Sequence, residues 1–312
     1  MLPNLVIAGA PKCGTSSLFK WLSDHPRACG SAVKETYYLL DPGHPLLRFA
    51  RSSYHEQGLE GYERLFPGCR PGEHDVVFEA TTHYLYQRTA LEVVAGLPTR
   101  PHVAFVLRKP SERVYSSYQY TLNNLAKLDD RISFPRFVRL VKGEEDAGAP
   151  LDEVLGESAY VLKNDIGYSR YVEHLRPWVE RLGRGRAHVL LFEDMRRDPR
   201  AFMKDFAARL GLDPSFYDSY SFPVRNETVR IKSRRLHRRA RMFEGVLPGG
   251  AVRDFVRGLY LRAQSGGSGA PRKTEEDLRA LEELEREFQP FSRRLASELG
   301  VDISAWGAPA AR

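Results

Sequence analysis

The sequence predicts an α/β protein: one domain, 1–312, on a central parallel β-sheet with helices on both faces. Three observations carry that expectation. The chain opens on a buried-strand run, Leu5-Val6-Ile7-Ala8, followed by a glycine-containing turn and an apolar helical face at Leu18, Phe19, Trp21 and Leu22. Further strand-length apolar runs recur at 76–78, 102–108 and 189–192, with helical patterns between them. The 312 residues suffice to bury one large core.

The first unit is also an anion site. Gly9 to Gly14 form a tight loop with one lysine, Lys12, and Thr15-Ser16-Ser17 supply hydroxyls at the helix start. Backbone N–H groups and the helix dipole there attract a phosphate. The loop is P-loop-like, yet Thr15 stands where a Walker A motif has its lysine. The string P-K-C-G-T-S-S-L resembles the 5′-phosphosulfate loop of sulfotransferases that use 3′-phosphoadenosine 5′-phosphosulfate (PAPS). The resemblance implies cofactor contacts from Lys12, Cys13, Gly14, Thr15, Ser16 and Ser17.

Whole-chain properties bound the partners. The net charge of +7 and a pI near 9.3 suit an anionic cofactor or substrate, and alone would also suit nucleic acid. Cys13, Cys29 and Cys69 are sparse and contain no C-x-x-C, so neither a disulfide framework nor a zinc site is expected. A strand beginning near residue 4 leaves no room for a signal peptide, and no apolar run has membrane-spanning length. A cytoplasmic protein in a reducing compartment is expected, without membrane insertion or metal; a homo-oligomer is left open.

Residues 27–40 read as a short extended segment ending in Lys34-Glu35-Thr36-Tyr37-Tyr38. In heparan-sulfate-type sulfotransferases, which this string resembles, a Lys-Glu pair follows the cofactor loop and its Glu is the proposed base. That implies Glu35 as the base; Asp41 stands one residue beyond the family's aspartate and is not carried over. Residues 42–75 read as loop with a short helix near 59–66. The strand at 76–78 runs into Glu79-Ala80-Thr81-Thr82-His83-Tyr84. Many carbohydrate sulfotransferases have an active-site lysine where this chain has Ala80, and a proline where it has Thr82. His83 is a second candidate base, since cytosolic members of the superfamily use histidine.

The strand 102–108 ends at Arg108, and Pro110 suits the first position of a following helix. Arg108 and Ser116, eight residues apart, resemble the family's 3′-phosphate clamp, in which a guanidinium gives bidentate recognition. A P-loop kinase would place an aspartate for Mg²⁺ at such a strand end. Residues 125–160 lose periodicity apart from one helix at FPRFVRLV and read as a substrate-side excursion. Residues 165–182 read as one amphipathic helix with Tyr171, Leu175 and Trp178 in its stripe. Glu193 and Asp194 after the next strand read as helix-start carboxylates, not metal ligands.

The segment 225–241 carries eight Lys/Arg against one Glu. The family has a cofactor-closing basic loop in this part of the chain, which implies Lys232, Ser233 and Arg234 as contacts. Residues 264–274 are Gly/Ser-rich and read as a mobile loop. Thr274 with Asp277 resembles a capping arrangement for a helix that Pro290 should end or kink.

The resemblance, spanning the first strand to Trp306, implies sulfuryl transfer from PAPS to a hydroxyl or amine of a sugar, glycosylated natural product or other small acceptor. In it Lys12 neutralises the departing bridging oxygen, Glu35 or His83 takes the acceptor proton, and PAP (3′-phosphoadenosine 5′-phosphate) is the product. The alternatives are a P-loop nucleotide phosphotransferase, a PAP-binding protein without activity, and a nucleic-acid-binding protein using 225–241. That last segment lacks interleaved stacking aromatics, and no nucleic-acid partner is expected.

Overall fold

The computed structural model describes residues 1–125, 127–129, 131–224 and 272–307. They fall into two compact units. The first comprises Met1–Lys109 with the described residues of Arg170–Asn226 and Phe288–Arg312; the second comprises Pro110–Ser169 and the described residues of Glu227–Glu287.

Among the described residues the first unit has five strands, β1 (Leu5–Gly9), β2 (Ala28–Gly30), β3 (Val76–Ala80), β4 (His102–Leu107) and β5 (Ala187–Leu191). All pair in parallel, in the order β2-β3-β1-β4-β5. The helices before the second unit are α1 (Thr15–Ser23), α2 (Tyr54–Glu63) and α3 (Arg88–Gly96). In the second unit lie α4 (Pro110–Gln119), α5 (Phe134–Lys142), α6 (Leu151–Leu155) and α7 (Ala159–Tyr168). The chain returns to the first with α8 (Tyr171–Leu182), α9 (Phe192–Arg197) and α10 (Pro199–Arg209), and α11 (Glu275–Leu299) precedes Trp306.

Every residue of β1 and β3 is buried, as parallel strands covered on both faces require. From β1 the chain moves outward to β2, returns to β3, and then crosses to β4 on the other side of β1. The strand order therefore reverses at the carboxyl end of β1, where open α/β sheets take ligands. Right-handed crossovers put α1 on one face and α2, α3 and α8 on the other. Packing agrees: Trp178 of α8 donates to the Leu85 carbonyl (3.1 Å) and meets Phe105 of β4 edge-on. On the α1 side, Trp21 donates to the Pro223 carbonyl (2.9 Å) and its own carbonyl accepts from Tyr217 (3.1 Å).

The second unit is built on a buried ion pair. Arg113 of α4 meets Asp165 at 3.2 Å with both side chains fully buried, and its Nε donates to Ser169 Oγ at 2.9 Å.

Several expectations need correction. The helix expected over 165–182 is two helices, because Arg113 also takes the Asp165 carbonyl and holds Ser169 at the end of α7. Helix α2 starts at Tyr54, ahead of the expected 59–66. Helix α11 continues past Pro290, with Phe288 and Leu295 buried on either side of it; its start does carry the reciprocal cap, Thr274 N–H to Asp277 (3.0 Å) and Asp277 N–H to Thr274 (3.1 Å).

Most consequentially, Cys29 on β2 and Cys69 form a disulfide, with Cα atoms 5.6 Å apart, while Cys13 is a buried thiol. Parallel pairing of β2 with β3 brings the chain before β3 back beside Cys29, a proximity hidden by 40 residues of separation. The expectation of a reducing compartment rested on unpaired cysteines and loses that support. No helix among the described residues is long and apolar enough to cross a membrane.

Candidate active site

Three adjacent strand ends build the site, β3, β1 and β4. The loop after β1 is tied to β4 by Ala10 N–H donating to the Val106 carbonyl (2.8 Å). Gly14 caps α1 at φ +83°, where a Cβ would lie 2.3 Å from Met195 Cε and 2.8 Å from Phe192. Only glycine fits there. Lys12 also has left-handed backbone, φ +69°. A non-glycine residue pays about 1–3 kcal/mol for that conformation, and such residues concentrate at functional sites. The first turn of α1 has no acidic residue and no side-chain cap, so its positive end meets the loop without a competing carboxylate.

Arg108 follows the tip of β4, and two aromatic residues join it to the loop. The buried Tyr171 donates to the Arg108 carbonyl (2.8 Å) and lies 3.9 Å from Cys13 Sγ. The Phe192 ring that blocks a Cβ at Gly14 also carries the Arg108 guanidinium 5.0 Å above it. The Lys12 loop and Arg108 thus rest on shared supports. Glu193 fixes this edge by accepting from Lys109 N–H and Trp306 Nε1, each at 3.0 Å, and with Asp194 lies in the first turn of α9. Ser116 lies half-buried on α4, in the second unit. Lys232, Ser233 and Arg234 lie outside the described residues, as do the segment 225–241 and most of 264–274.

Glu35 stands at the end of β3. Its N–H donates to the Ala80 carbonyl (2.8 Å), and its carboxylate accepts from Thr82 N–H (3.0 Å) and Thr82 Oγ1 (3.2 Å). Lys34 pairs with the same carboxylate, which keeps 21% exposure. Glu35 and Tyr37 have left-handed backbone, φ +62° and +55°. His83 is 6% exposed, its ring 6.1 Å from those of both His44 and Tyr86. Burial lowers the His44 imidazole pKa, with Asp41 opposing. Asp41 itself accepts from Thr89 N–H (2.7 Å) and Arg88 N–H (3.2 Å), so it caps α3.

A polar network that the sequence expectations do not include adjoins Glu35. Glu79 of β3 is fully buried and accepts from Thr36 (2.6 Å), Thr81 (3.0 Å) and Tyr62. Burial raises its carboxyl pKa, while the hydroxyls of Thr36, Tyr62, Thr81 and Tyr84 pull it down; Tyr62 and Tyr84 are raised well above the usual phenol range by burial first and by Glu79 second. The available signal was a charged residue inside an apolar strand. Among the described residues no group of three or more His, Cys, Asp or Glu side chains could hold a metal ion.

The model of the sulfotransferase domain family matches residues 2–233. The bifunctional heparan sulfate N-deacetylase/N-sulfotransferase 1 of Caenorhabditis briggsae is 24% identical over 217 residues, 69% of this chain and 23% of that protein. The heparan sulfate glucosamine 3-O-sulfotransferase 3A1 of Mus musculus is 27% identical over 223 residues, 71% of this chain and 49% of that protein. The chain thus spans less than half the length of these curated relatives. A solved sulfotransferase from Alicyclobacillus acidocaldarius, 23% identical, superposes with a TM-score of 0.65 over 99% of this chain and 100% of its own, and so has the same fold. With most of its length matched by the domain model, the chain belongs to the sulfotransferase family.

Proposed function

We propose that the protein transfers a sulfuryl group from PAPS to a hydroxyl, or alternatively an amine, of a sugar or other small acceptor. The observation carrying this reading is the row of strand ends: the Lys12 loop after β1, flanked by Arg108 after β4 and by Glu35 held against the end of β3. The residue set suits a bisphosphorylated nucleotide. It offers a glycine turn closed to any Cβ, a helix start without acidic side chains, and a cation at each corner.

Lys12 and residues Cys13 to Ser17 would hold the 5′ end, and Arg108 the 3′-phosphate with Ser116; Lys232, Ser233 and Arg234 are proposed to close over the nucleotide. When bound, PAPS supplies a sulfuryl group on a phosphate leaving group. Lys12 offsets charge at the bridging oxygen, an electrostatic contribution that needs no rearrangement during reaction. Glu35 takes the acceptor proton onto its carboxylate, which Thr82 and Lys34 orient. Its exposure favours it over His83, which packs among His44 and Tyr86. A monomer and a homo-oligomer are both compatible with this chemistry.

Isotopically labelled PAPS offered to a panel of sugars and small alcohols tests the reading. Glu35→Gln should lower transfer by about 10²–10⁴-fold, the usual worth of a general base, while PAP affinity stays within about twofold. Retained turnover would move the base to His83 or elsewhere.

A further inference from the structure

Left-handed backbone at Glu35 and Tyr37 means that residues 35–37 do not hold their shape by their own preference. The Glu79 network supplies the restraint. Its Oε2 accepts Thr36 Oγ1 at 2.6 Å and Thr81 Oγ1 at 3.0 Å, and its Oε1 accepts the Tyr62 hydroxyl. Thr81 Oγ1 in turn accepts Thr36 N–H at 3.0 Å, and Tyr84 OH lies 3.0 Å from Thr36 Oγ1 while accepting Leu39 N–H at the same distance. Thr36 directly follows Glu35. Thr81 directly precedes Thr82, whose N–H and hydroxyl hold the Glu35 carboxylate. One buried carboxylate therefore ties together the segment that carries Glu35 and the segment that orients it. A charge without exposure in an apolar strand is costly unless donors meet it, and breaking such a cluster on one side is more damaging than never having built it.

We infer that Glu79 is a positioning residue for the transfer reaction, fixing through Thr36 and Thr81 the backbone that aims Glu35. This rests on the reading of Glu35 as the base. Glu79 touches neither donor nor acceptor in this role; it sets where the base stands.

The test uses the full chain with PAPS and a heparan sulfate oligosaccharide as acceptor probe, and the variants Glu79→Gln, Thr36→Val and Thr36→Ser. Glu79→Gln and Thr36→Val should lower kcat on the order of 10- to 100-fold, the scale set by sub-ångström to ångström misplacement of a reacting group. KM for PAPS and PAP affinity should stay within about twofold, and Thr36→Ser should restore turnover relative to Thr36→Val. In a crystal structure of Glu79→Gln with PAP, the Glu35 carboxylate should no longer accept from Thr82 N–H. Wild-type turnover with Glu35 unmoved overturns the inference, and so does a parallel loss of kcat, PAP affinity and melting temperature, which would make Glu79 structural only. If the oligosaccharide is not an acceptor, the position of Glu35 in that crystal structure decides alone. Glu35→Gln separates the two levels. Retained turnover there overturns the base assignment, whereas lost turnover there with wild-type turnover in Glu79→Gln overturns only the positioning role.

Discussion

Lys12 and Glu35 share a property that their side chains do not reveal: both sit in left-handed backbone, on loops held by neighbouring strand ends. Their spacing in the chain was readable because each belongs to a short motif, one glycine-bounded and one a Lys-Glu pair. Their strain was not, since nothing local in Lys12 or Glu35 favours a positive φ. Arg108 was equally legible, as the cation where a strand stops at a proline. If it grips the 3′-phosphate, Arg108→Ala should weaken PAP binding by about 10- to 100-fold, the usual range for hydrogen bonds to a charged group. Adenosine 5′-phosphosulfate, which lacks that phosphate, should lose little. Titration calorimetry with both ligands checks this, and equal losses would count against the clamp.

At the scale of elements, the strands β1, β3, β4 and β5 were visible as mainly apolar runs, because strands covered on both faces are built mostly from apolar residues, with Glu79 and His188 as buried exceptions. Helix α11 announced its start through Thr274 and Asp277. What stayed hidden depended on distant partners. The break between α7 and α8 follows from Arg113, the burial of Glu79 needs hydroxyls from residues 36, 62 and 81, and the Cys29–Cys69 bridge joins segments 40 residues apart. The bridge closes a loop that contains both Glu35 and α2. Replacing both cysteines by serine should lower unfolding free energy by about 3–4 kcal/mol from loop-closure entropy, read by denaturant titration of oxidised protein. Identical stability of the two forms would mean that the bridge does not form.

Across the whole molecule, the sheet's two ends carry different chemistry. Its carboxyl end gathers the candidate catalytic groups. Near its amino end, His102 Nδ1 and His188 Nε2 lie 2.8 Å apart on β4 and β5. Burial, then His102 and Arg209, push His188 down to about 4, and burial with Arg186 lowers His102. The unfolded chain binds these protons near pH 6.5, whereas the folded pair resists them. Stability is therefore fully present above that pH and falls as the pH drops toward 4, through the pair together. Denaturant titrations across this window should show the slope, and His188→Phe should flatten it; an unchanged slope would place the acid sensitivity elsewhere.

The central claim is that one nucleotide spans two anion corners, the turn at Lys12 and the strand tip at Arg108. A crystal structure of the full chain soaked with PAP tests it most directly. The account predicts the 5′-phosphate on the N–H groups and side chains of Lys12 to Ser17, with the 3′-phosphate against Arg108. A nucleotide bound elsewhere, or one that leaves either corner untouched, would contradict it.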